Sequence, residues 1–76
     1  MFDDLNAIQA ARAATMKSAA TGMTAYQLAL VCNRIRPGID FRGMGKKELY
    51  RDFASGFLCS VKGRELRGAI SEFHKG

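Results

Sequence analysis

Thr21-Gly22-Met23-Thr24-Ala25-Tyr26-Gln27-Leu28-Ala29 closes one helix and opens another. Gly22 has no Cβ and accepts the left-handed backbone that ends a helix. Thr24 is a preferred N-cap, and Gln27 three residues on completes a capping box. The spacing predicts a helix over 25–33 that buries Leu28, Ala29, Val31 and Cys32. Asn33, after glycine the residue most at ease in a left-handed turn, marks its end.

Working outward, residues 3–20 read as a long helix, with Asp3 or Asp4 to cap it and complement its dipole. Leu5, Ile8, Met16 and Ala19 fall on one stripe, and Arg12 interrupts it. The many alanines between them favour helix and bury little area, suiting close packing inside the monomer or along a dimer seam. After Gly43-Met44-Gly45 a helix is expected over 46–55, with Leu49 and Phe53 at i, i+4 and Tyr50 and Ala54 beside them. A last helix is expected over 58–73, burying Leu58, Val61, Leu66, Ala69, Ile70 and Phe73. Gly63 and Gly68 cost about 1 kcal/mol each inside it, so they either allow close packing or interrupt it near 63. The fold class expected is all-α: one domain over residues 1–76, a bundle of four to five short helices.

Composition bounds the function. Seventy-six residues form one small core, and 47% hydrophobic content fills it and argues against disorder. So small a chain gains burial by association, and a homo-oligomer is expected. The acidic opening Phe2-Asp3-Asp4 is unlike a secretory leader, and no apolar run approaches the roughly 18 residues that span a bilayer. The cytoplasm is the expected compartment, with no membrane partner. Cys32 and Cys59 are far apart in apolar surroundings and read as small core residues. The one histidine, His74, lies near the C-terminus, so no metal set is expected.

Catalysis finds no support. There is no nucleophile turn, and adjacent Asp3 and Asp4 diverge on a helix. Gly43-Met44-Gly45-Lys46-Lys47 places two cations beside two glycines at a helix start, where a phosphate can be held. It is no nucleotide loop, because Lys47 stands where a magnesium-binding Ser or Thr is required. The chain is expected to be non-enzymatic and without cofactor.

Charge is uneven. The whole +5 lies in residues 34–76, which hold ten basic and five acidic side chains. The densest part is 34–51, where Arg34, Arg36, Arg42, Lys46, Lys47 and Arg51 stand against Asp40 and Glu48, a net of +4. A polyanion is drawn to such a patch, while the bland reading is a solvated face that keeps the chain soluble.

Residues 16–42 resemble the helix-turn-helix of the Cro/phage-repressor family. Thr24, Leu28 and Ala29 match its capping threonine and Leu-Ala pair, Gly22-Met23 its Gly-aliphatic pair, and Ile39 the apolar residue locking its second helix. Arg36-Pro37 is similar to the start of its recognition helix. Asn33 stands in place of the turn glycine, and Arg34 in place of an aliphatic turn residue. Ile39 and Phe41, two apart, suit an extended segment, so 36–44 is either a recognition helix or a loop pinned by those two side chains. The resemblance implies a dimeric DNA-binding regulator of phages or mobile elements. In it Arg36, Asp40 and Arg42 would meet base edges of double-stranded DNA, and Arg34, Lys46, Lys47 and Arg51 its phosphates.

A second function fits the same composition: a protein-binding module, whether inhibitor, adaptor or antirepressor. Phe2, Met23, Met44 and Phe57 sit at element ends, where they are expected to be exposed and to dock a partner. The basic segment would then face an acidic protein surface.

Overall fold

The computed structural model describes residues 2–75, with side chains from Asp4 onward. It holds four helices, α1 (Phe2–Ala19), α2 (Ala25–Ile35), α3 (Lys46–Ser55) and α4 (Gly63–Lys75), and no strand among the described residues. α1 and α2 each lie against both α3 and α4, so the order around the bundle is α1, α3, α2, α4. The all-α expectation holds, with four helices. α1 begins at Phe2, so Asp3 and Asp4, expected to cap it, stand inside its first turn instead.

The α1–α2 junction forms as its residues dictate. Gly22 takes φ +85°, which only glycine adopts without strain. Thr24 Oγ1 accepts from the Gln27 backbone N–H at 3.1 Å, and Gln27 Oε1 accepts from the Thr24 N–H at 2.9 Å. Two otherwise orphaned donors are satisfied, and α2 starts at one defined residue. Met23 precedes the cap and Leu28 sits at the fourth helical position; both are buried, as in a hydrophobic staple. The buried set of α2 is Leu28, Ala29, Val31 and Cys32, the face read from the sequence.

Every fully buried residue is apolar among the described residues. The core joins Met16 of α1, the α2 face, Leu49 and Phe53 of α3, and Leu66 and Ile70 of α4. Five further members, Ala20, Met23, Phe41, Leu58 and Val61, come from connections between helices.

Three local expectations are corrected, and the alternative left open for 36–44 is decided as a loop. Asn33 is helical, and α2 runs two residues past it to Ile35. Its Oδ1 accepts from the Phe41 backbone N–H at 2.8 Å, so it pins the following loop instead of turning the chain. Residues 36–45 form that loop, with Phe41 wholly buried and Ile39 half-buried; no helix begins at Arg36. The last helix starts at Gly63, because Leu58 and Val61 reach the core from a turned segment in which Val61 N–H donates to Leu58 O at 3.0 Å. Finally, Leu5 and Ile8 of the α1 stripe are exposed.

Arg12 explains the interrupted stripe. Its Nε donates to Phe53 O at 3.0 Å, and its Nη2 to Leu58 O at 3.3 Å and Val61 O at 2.6 Å. The guanidinium also lies 4.2 Å from the centre of the Phe53 ring. Phe53 is in the last turn of α3, where carbonyls lack intrahelical partners and the dipole is negative. A cation from α1 therefore caps α3 and holds the turn leading to α4.

At that same end, Asp52 Oδ1 accepts from Phe57 N–H at 3.0 Å. The turn folds so tightly over Asp52 that a Cβ on Gly56 would stand 2.9 Å from the Asp52 Cα. Glycine is required there by close approach of backbone.

Candidate nucleic-acid interface

The basic segment is built from the end of α2, the 36–45 loop and the start of α3. Gly43 takes φ +93° and lets the loop turn; Met44 N–H then donates to Phe41 O at 3.2 Å. Gly45 is the N-cap of α3 and offers no side-chain hydrogen bond, so the first N–H groups of α3 face outward unpaired by any cap. Lys46 and Lys47 are its first two residues, with Lys47 exposed and Lys46 half-buried. Arg51 lies one turn beyond Lys47 and is exposed, as is Arg34 in the last turn of α2.

The cations differ in freedom. Among the described residues the one ion pair is Arg42 with Asp40, Nε to Oδ1 at 3.0 Å, both side chains about 60% exposed. The Arg42 backbone N–H also donates to Asp40 Oδ1 at 3.0 Å, closing a rigid loop tip. These hydrogen bonds hold the Asp40 carboxyl below its ordinary range and raise Arg42 further. Arg36 is half-buried: its Nη2 donates to Ser60 Oγ at 2.8 Å, tying the end of α2 to the α3–α4 turn. Thus Arg34, Lys46, Lys47 and Arg51 have no acidic partner among the described residues, whereas Arg36 and Arg42 are engaged within the chain.

Two shallow grooves flank the loop. One, of about 330 Å³, is lined by Leu30, Asn33 and residues 37–40 with Arg42. The other, also about 330 Å³, is lined by Met44, Glu48, Arg51, Asp52, Ser55 and Gly56. Neither holds a reactive constellation, and no cluster of three metal-binding side chains occurs among the described residues. No described helix is long and apolar enough to cross a membrane.

The residues named for partner docking separate. Met23 is buried and belongs to the core, which corrects the expectation that it is exposed. Met44 is half-buried against the core, Phe57 is 71% exposed, and Phe2 lies outside the described side chains.

The two cysteines also separate. Cys32 is buried, and burial first, then the nearby Asp52 carboxylate, pushes its thiol up from 9.0 to about 12. Cys59 is exposed, which corrects its reading as a core residue. One thiol per chain is expected to react with a thiol reagent in the native state and two after unfolding, because the thiolate is the nucleophile. Two fast thiols in the native state would contradict the packing of α2. The raised Cys32 pKa stabilises the fold fully below about pH 9, and that contribution is lost as pH rises toward 12.

Comparison with protein-family models, with curated proteins and with solved structures finds no match.

Proposed function

We propose that this chain binds double-stranded DNA through Arg34, Lys46, Lys47 and Arg51, acting as a small non-enzymatic DNA-binding regulator. The observation that supports it is the freedom of those four cations, which have no acidic partner among the described residues; Lys46, Lys47 and Arg51 lie on α3, whose start is uncapped, and Arg34 lies in the last turn of α2. Within 34–51 only Asp40 and Glu48 oppose six cations, and Asp40 is already paired with Arg42.

With residues 36–45 in a loop, α3 is the element that meets the duplex. Backbone N–H groups at its start and the two lysines take phosphates. Arg42 and Asp40, exposed at the loop tip, are the base-reading pair; Arg36 positions the loop through Ser60. Binding of this kind is dominated by counterion release, with modest sequence preference.

The test is a titration of the chain against pooled random duplexes at two salt concentrations. Replacing Lys46 and Lys47 with alanine is expected to weaken binding to all sequences and flatten the salt slope by about two units. Arg42→Ala is expected to relax sequence preference by about 1–3 kcal/mol at one position. Binding that vanishes at physiological salt with no sequence enriched overturns the proposal. A protein-binding module is then the reading left, and exposed Phe57 favours it.

A further inference from the structure

Among the described residues four large apolar side chains stand exposed: Leu5 (54%), Ile8 (58%), Tyr26 (61%) and Phe57 (71%). Arg12 ties three of them to one end of the molecule. Ile8 lies one helical turn before it and Leu5 three residues further, on the same stripe. Arg12 Nη2 holds the carbonyl of Leu58, the neighbour of Phe57. From Arg12 onward this stripe is covered, and Met16 is fully buried. From Asp4 to Ile8 every residue is exposed, so the same stripe continues along α1 with nothing over it.

Charge is opposite on the two sides of this end. Residues 1–11 contain Asp3 and Asp4 and no cation. The turn and the start of α4 contain Lys62, Arg64 and Arg67 against Glu65, a net of +2, and Lys62 and Arg64 are exposed with no ion-pair partner among the described residues. The surface therefore carries an acidic, apolar arm and, beside it, an apolar, basic shoulder.

From this we infer that the end is a self-association surface for a second copy of the chain. In two copies related by a two-fold axis, the arm of each lies on the shoulder of the other. Leu5 and Ile8 cover the partner's Phe57, and Asp4 faces the partner's Lys62 and Arg64. A two-fold contact requires a patch that complements itself, and this one holds both halves of the contact. The arm is one short helix segment, so even doubled by symmetry it buries near the low end for specific interfaces, roughly 1,200 Å² in total. The dimer is accordingly weak and dependent on concentration. It uses none of the four cations proposed to hold DNA.

The experiment is sedimentation velocity on the full chain, free of nucleic acid, from low-micromolar to near-millimolar concentration. The mass is expected to move from one copy toward two. Leu5→Glu combined with Ile8→Glu is expected to weaken association at least tenfold while far-UV circular dichroism stays helical, because both sites are already exposed. Asp4→Lys is expected to weaken it, and adding Lys62→Glu and Arg64→Glu to restore it. A single-copy mass at every concentration overturns the inference, as does wild-type association in the double-glutamate variant. Charge exchange that fails to restore association overturns the arm-on-shoulder arrangement.

Discussion

Arg12→Ala is expected to lower stability by about 3 kcal/mol, since hydrogen bonds from a charged donor are worth roughly 1.5–3 kcal/mol each and this residue is only half-buried. Three acceptors lose their donor together: the carbonyls of Phe53, Leu58 and Val61. The Phe53 carbonyl closes α3, where no intrahelical N–H reaches it, and the Phe53 ring loses the cation above it. In a chain of this size 3 kcal/mol moves Tm by roughly 12–24 °C. Arg12→Lys retains the charge and loses the fork, so it should fall between wild type and alanine. Arg12→Met separates the two contributions, keeping the apolar stem on the α1 stripe and removing every donor. A Tm shift below about 4 °C for Arg12→Ala would show that water replaces the guanidinium at no cost.

Phe41→Ala is expected to cost as much or more, about 3–5 kcal/mol, as for other buried aromatic truncations. The residue lies in a loop, yet it is among the largest fully buried side chains of the chain. Its backbone N–H is held by Asn33, so the ring is anchored from both sides of the peptide. Loss of the ring leaves a cavity among core residues and releases the loop that carries Arg42 and Gly43. Urea unfolding measures the loss directly, and Ile39→Ala, at a half-buried site, is the smaller comparison. Equal midpoints for Phe41→Ala and wild type would place that ring in solvent.

Local signals carried much of the architecture. The capping box, Gly22 and the i, i+4 spacing of Leu49 and Phe53 act within a few residues, and α2 and α3 follow them: α3 spans 46–55 as its pattern indicates. Arg12 was visible only as a charge on an apolar stripe. Its role depends on carbonyls 41 to 49 positions away, which no local pattern encodes. The start of α4 was obscured because Leu58 and Val61, three apart, imitate a helical stripe while reaching the core from a turn. Met23 looked like a docking residue at an element end, and the staple position buries it. For the basic face, charge density was legible in the sequence, and the freedom of each cation was not. Ser60, which holds Arg36, is 24 residues away.

The measurement that tests the DNA-binding face most directly is an amide chemical-shift titration with a mixed-sequence duplex at low salt. The largest shifts are expected at Lys46, Lys47 and Glu48, whose N–H groups open α3, followed by Arg34 and the Asp40–Gly43 loop tip. Residues 4–11 of α1 are expected to stay unmoved. Shifts confined to α1 and α4, or none at any amide, would contradict a DNA site at the start of α3.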